Sequence, residues 1–504
     1  MRSTRRQFLG AAGGAMMLGG GFRFLSALAP VSAEEAQLHP SLVRLGDDIE
    51  PTVRLLEETP PERVLEEVAT RIRNGTLSYR QVLAGLLLAG VRNVQPRPQV
   101  GFKFHAVLVI NSAHLASLNS PGSDRWLPIF WAIDRFKSAQ SETAKTSGWR
   151  MSGVDESKVP SGSKAREAFI RAMDAWDEEA ADAAAAGLAR ACSRDECFEL
   201  FARYGCRDFR DIGHKAIYVS NSFRTLSAIG WQNAEPVLRS LAYALMKYDG
   251  ENPSNSDQPA DRPGRRNAEL IKKIRPQWQD GKPDAKATSH LLSTFRTGST
   301  EDCPAAVVEA LNDGISAASV WDAILAASGE LLMRKTNILT LHSVTSSNAL
   351  RFAFESAADP QTRLLLLLQN AAFVPLFRQA VGKMGAVEVD QFEPATGEEK
   401  HTVDEIFETA THDRMEAARK ALSYLDQAHQ AEDLMRTARR LVFLKGNDAH
   451  DYKFSSAVLE DYYHLSPDWR NRYLAASLFY LPSSGAPDNA LVGRIRSALG
   501  EKGA

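Results

Sequence analysis

Near the C-terminus the chain reads LVFLKGNDAHDYKFSSAVLEDYY, residues 441–463. His450 stands three residues before Lys453, and Asp448, Asp451, Glu460 and Asp461 surround the pair. On a helix, residues i and i+3 share a face. A face carrying an imidazole and an amine in an apolar pattern has two readings. It is a solvated surface on which Lys453 pairs with an aspartate, or it is a buried metal-facing surface. In the second case a protonated lysine would repel the metal. A neutral lysine can instead take up carbon dioxide as a carbamate, an anionic oxygen ligand, and burial or a nearby cation lowers its pKa in that direction. The spacing alone leaves both readings open.

The other histidines bear on the choice. An imidazole in an apolar helix is awkward unless both ring nitrogens are satisfied. His39, His401, His412, His429 and His464 sit in polar or terminal contexts and read as solvated. His105 (FKFHAVLVIN), His214 (DIGHKAIYVSNSF), His342 (LTLHSVTSSNAL) and His450 each lie on a different apolar-periodic segment. One such residue is usually a satisfied core histidine. Four of them on four helices suggest a metal centre, because imidazole is the commonest ligand for iron, copper and zinc, and helical folds build centres from inward-pointing side chains. His114 follows His105 by nine residues, about two and a half helical turns, so only one of the two can face a given metal; His105 is the chosen candidate. His290, in ATSHLLSTF, is a reserve ligand or a helix-end residue.

The elements that must position these residues read as helices. Apolar residues recur at i, i+3, i+4 and i+7 in 62–75, 79–94 and 306–333, and period-two alternation is rare. Ser466-Pro467 and the Thr of TLSYRQ and TVDEIF are helix-start signals. RLLLLLQNAAFVPLF is shorter than the roughly 20 residues of a membrane span and reads as a buried core helix. The expectation is an all-α fold, one large multi-helix domain, with surface loops near 249–288 and 384–402, the second of them with room for a short hairpin. No G-x-G-x-x-G after a strand, no P-loop, no G-x-S-x-G and no H-E-x-x-H occurs, which argues against nucleotide-binding α/β enzymes, α/β-hydrolases and zincins. Cys192, Cys197, Cys206 and Cys303 lack zinc-ribbon spacing and leave disulfides or free thiols open.

Residues 1–33 resemble a twin-arginine export signal: Arg5-Arg6, then Phe8-Leu9, a Gly/Ala-rich stretch and a small-residue cleavage pattern at Val31–Ala33. That implies a partner in the twin-arginine translocation machinery, a periplasmic or secreted product, and a domain over 34–504 with no membrane span. The segment holds four arginines and no acids, so without it the formal charge moves from −2 to −6. Nothing in that balance suggests nucleic-acid binding.

The segments FHAVLVINSAHLASL, GHKAIYVSNSFRTLSAIGW, LHSVTSSNALR…TRLLLLLQNAA and DAHDYKFSSA together resemble the questin oxidase-like family. The resemblance spans residues ~100–480 in short motifs. It departs from the family at Ala449, where a Gly usually precedes the histidine, and in the run around His214. It implies a helical, mononuclear non-haem Fe(II) oxidoreductase that uses O₂ on an aromatic or polyketide-like substrate. Its ligands would be His105, His214, His342 and His450, with Lys453 carboxylated; another divalent transition metal is the alternative occupant. Asp211, Asn348, Asp448 and Asp451 are candidate supporting residues. Trp131, Trp231, Phe104 and Tyr218 are candidates for an aromatic pocket, with core packing as their ordinary role. Two other functions compete: a non-catalytic helical protein with structural histidines, and a metallohydrolase with a carboxylated lysine. The usual form of the latter needs an H-x-H that this sequence lacks.

Overall fold

A computed structural model describes residues 42–96, 103–122, 124–246, 251–396, 401–427 and 431–500. The export-type segment 1–33, His39 and His429 lie outside the described residues. Residues Val43–Ala504 form one compact unit. Helices account for 71% of the structure, and the described residues hold no strand, only isolated bridges such as that between Lys282 and Ile315.

The helix ends follow from local chemistry. Ser78 caps Tyr79–Asn93 and Thr402 caps Val403–Thr409, each through a reciprocal capping box. Pro467 begins the helix after Ser466. The apolar run at 306–333 is two helices, Asp302–Asn312 and Ala317–Arg334, because Gly314 takes φ +87° between them. Pro360–Val381 is the one described helix long and apolar enough to cross a bilayer, and 78% of its apolar window is buried inside the protein. Leu364, Leu366, Leu367 and Leu368 are at most 4% exposed. Removing each from water contributes about 1.5–3 kcal/mol, which accounts for its place in the core.

Two expectations need correction. Residues 249–288 are not one loop: Arg262–Leu270 is a helix with Pro263 in its first turn, and Asp284 caps Ala285–Thr297. Between Gly382 and Thr402 no hairpin forms among the described residues. All four cysteines are free thiols.

Three long helices and one short one bear on the candidate site. His214–Ile229, Ile338–Ser356 and Ala449–Asp461 pack against one another or a shared neighbour, and His105–Leu108 opens a helical stretch that resumes at Ile110–Leu118.

Candidate metal centre

Three of the four histidines enter the centre by different devices. His450 sits in the first turn of Ala449–Asp461, whose N-cap is Asp448. The Asp448 carboxylate accepts the His450 backbone N–H at 2.8 Å, and Asp451 closes the capping box by accepting the Asp448 N–H at 3.1 Å. Two of the acids around His450 are therefore helix-start residues. Asp448 does more: its Oδ1 also accepts the His450 Nδ1–H at 2.6 Å.

His214 opens its helix after a strained turn. Asp211, Ile212 and Gly213 have φ +65°, +46° and +84°. A left-handed β-branched residue is a costly conformation, so the surroundings must impose it. Lys215 Nζ donates to both Asp208 oxygens at 2.8 Å, and Arg210 forms a bidentate pair with Asp261 at 2.8 and 2.6 Å. All four side chains are buried, at 4% exposure or less. These clamps bracket the turn and aim His214 inward. Gly213 is held against the Ile338–Ser356 helix: a Cβ there would lie 2.5 Å from that of Ser346. His342 lies in the first turn and a half of that helix, and its Nδ1–H donates to the Ile338 carbonyl at 2.6 Å.

The four imidazoles converge. Their ligand atoms all lie within 4.8 Å of one another, and every one of the four residues is buried. His214 Nε2 is 2.7 Å from His105 Nε2 and 2.9 Å from His342 Nε2. The tautomers make this arrangement informative. His214 Nδ1 faces the Asp211 carbonyl at 2.8 Å and His342 Nδ1 faces the Ile338 carbonyl. A carbonyl only accepts, so both rings carry their proton on Nδ1. In the neutral rings, Nε2 of His214 and Nε2 of His342 are then bare lone pairs 2.9 Å apart, with no hydrogen between them. The contact needs a cation, either an added proton or a metal.

The surroundings disfavour the proton. Burial drives His105, His214 and His342 well below the usual imidazole range, with Lys453 and the neighbouring rings adding to the effect. Burial also lowers His450, against the raising influence of Asp448. In turn the hydrogen bond from His450 holds the Asp448 carboxyl down at about 2. His450 Nε2 and Lys453 Nζ are buried, and among the described residues neither has a hydrogen-bond partner. Lys453 is 2% exposed, and burial pulls its amine down to about 7, although Asp448 and Asp211 pull it up. The donor set is four converging imidazole nitrogens and an unpartnered lysine. It fits a transition metal, with three Nδ1 protons held by oxygens in the manner that fixes ligating histidines.

Four of the five candidates from the sequence, His105, His214, His342 and His450, thus come together, and Lys453 is close enough for its charge to lower all four rings. His114 does not: its Nδ1 meets the Tyr79 hydroxyl at 2.8 Å. His290 is exposed. Of the four supporting candidates, Asp448 and Asp211 touch the centre's histidines. Asp451 serves the helix cap. Asn348 donates instead to Glu460 and Asp461, both at 2.8 Å. The aromatic candidates are packing residues: Phe104 meets Tyr218 edge-on, Trp131 stacks on Tyr452, and Trp231 lies against Phe223 at the edge of the core. The Ile338 carbonyl is a functional group that sequence reasoning missed, since every residue has a carbonyl and only the fold selects this one.

No known family model matches this sequence, and no curated protein or solved structure matches it either.

Proposed function

We propose that this protein is an exported, metal-dependent oxidoreductase whose mononuclear non-haem centre is held by His105, His214, His342 and His450, as in the questin oxidase-like family that its motifs resemble. The observation that carries the reading is the pair of lone pairs on His214 and His342 at 2.9 Å, beside an unpartnered His450 Nε2 and an unpartnered Lys453 Nζ. Histidines kept for packing alone would turn these nitrogens to acceptors or donors. When bound, Fe(II) would supply the electrons for reduction of O₂ and a Lewis-acidic position for an ionised organic substrate of aromatic or polyketide-like type.

The chain's own residues have defined tasks. The imidazoles bind through Nε2, while the Asp211 carbonyl, the Ile338 carbonyl and the Asp448 carboxylate hold the Nδ1 protons and fix the ring orientations. Lys453, with its amine at about 7, is substantially unprotonated at neutral pH. Its nitrogen lone pair forms an N–C bond to carbon dioxide, one proton leaves the nitrogen, and the product is an anionic carbamate. The four imidazoles are neutral, so this carbamate supplies the negative charge that a divalent ion otherwise lacks there.

The test uses zinc in place of iron, to avoid paramagnetic broadening, and ¹³C-bicarbonate. A carbamate ¹³C resonance is expected in the wild type and absent in Lys453→Ala and Lys453→Arg, both of which also lose metal or O₂ consumption in the iron form. A wild-type protein that binds metal fully yet shows no carbamate signal refutes the role of Lys453. A protein that binds no metal refutes the whole reading and leaves a non-catalytic helical protein.

A further inference from the structure

The helix that carries His450 and Lys453 has a second populated face. At about 100° per residue, Tyr452, Ser455 and Leu459 point away from His450 and Lys453. They line a partly enclosed cavity of about 210 Å³ between the helices Ile110–Leu118, Ala431–Lys445 and Ala449–Asp461. Leu115, Val442 and Leu459 make one part of its wall apolar. One feature of the remainder is unusual. The Arg439 guanidinium is half-buried, and among the described residues neither a hydrogen bond nor an ion pair engages it; Tyr463 alone offsets the effect of its burial. Glu460 also borders the cavity, but its carboxylate is committed to Arg224 at 2.6 Å and to Asn348 at 2.8 Å, so it does not neutralise Arg439.

A half-buried guanidinium without an anion calls for one, and its planar fork matches a carboxylate. The space sets the size of the rest. An apolar cavity of about 150 Å³ takes up benzene, so 210 Å³ accommodates one aromatic ring and a carboxylate. We propose that this cavity is a binding site for a one-ring aromatic monocarboxylate of the benzoate class. Its carboxylate pairs with Arg439 and its ring lies against Leu115, Val442 and Leu459. The site is separate from the histidine cluster and does not depend on a metal there.

Isothermal titration of the full-length protein with benzoate, benzamide and acetate tests this. Benzoate is expected to bind, with benzamide (ring without charge) and acetate (charge without ring) at least tenfold weaker. Arg439→Gln is expected to weaken benzoate at least tenfold, Arg439→Lys less, and His214→Ala not at all. Failure of benzoate to bind in the millimolar range overturns the proposal. So does equal binding of benzoate and benzamide, or benzoate affinity unchanged in Arg439→Gln.

Discussion

Four buried, neutral histidines make the metal-free protein sensitive to acid in a way that can be computed and dissected. In the unfolded chain each imidazole takes up a proton as the pH falls through about 6.5. In the folded chain burial keeps His105, His214 and His342 neutral well below that, and His450 is lowered as well. Their contribution to stability is therefore fully present above about 6.5 and is lost as the pH falls below it, at about 1.4 kcal/mol per pH unit for each histidine. Asp461 works in the opposite sense. Burial raises its carboxyl to about 7, so its contribution is present at low pH and is lost as the pH rises toward neutrality. Between about pH 6 and pH 5 each ring that stays neutral costs up to about 1.4 kcal/mol, and Asp461 offsets about one such loss. Even one such loss is a sizeable share of the 5–15 kcal/mol typical of a folded domain. His342→Gln removes one titrating ring and should reduce the loss by about 1 kcal/mol, whereas Asp461→Asn should increase it by about as much. Urea unfolding of chelated protein at the two pH values, followed by circular dichroism, gives these differences directly. An unchanged pH dependence in His342→Gln would refute the claim that this ring is buried and neutral.

Other outcomes follow from individual contacts. Asp448→Asn keeps the helix cap but loses the charge that holds His450 Nδ1–H, and should weaken metal affinity by about 10- to 100-fold with the far-ultraviolet spectrum unchanged. Gly213→Ala places a Cβ 2.5 Å from Ser346 at φ +84° and should destabilise by about 1–3 kcal/mol, read as a lower urea midpoint. Asp261→Ala leaves Arg210 buried without its partner and should cost about 3–5 kcal/mol, with loss of metal as the turn before His214 relaxes.

Much of the site is legible in the sequence because its signal is chemical contrast. A histidine among apolar residues is conspicuous, and four such segments picked out the four rings that meet. The half-turn offset between His105 and His114 implies that they face opposite ways, and His105 joins the cluster while His114 meets Tyr79. The helical class followed from periodicity. The differences share a cause: composition does not fix conformation. Pro263 and the polar residues after it suggested a loop, yet proline suits a first helical turn, and Arg262–Leu270 is a helix that buries only Pro263 and Asn267. The turn that aims His214 is not readable from sequence, because Ile212 is not a residue that prefers left-handed backbone; its conformation is held by the Lys215–Asp208 pair across the turn and by the pair of Arg210 with the remote Asp261. The backbone acceptors of Asp211 and Ile338, and the cavity behind Tyr452, likewise exist only once the chain is folded.

The central claim is that four imidazole nitrogens meet because a metal belongs between them. Full-length protein loaded anaerobically with Fe(II), desalted and analysed for iron per chain tests it, with His214→Ala treated in parallel. About one equivalent of tightly held iron in the wild type and essentially none in His214→Ala is the expected result. Wild-type protein that retains no stoichiometric iron, or retains no more than His214→Ala does, would contradict the account.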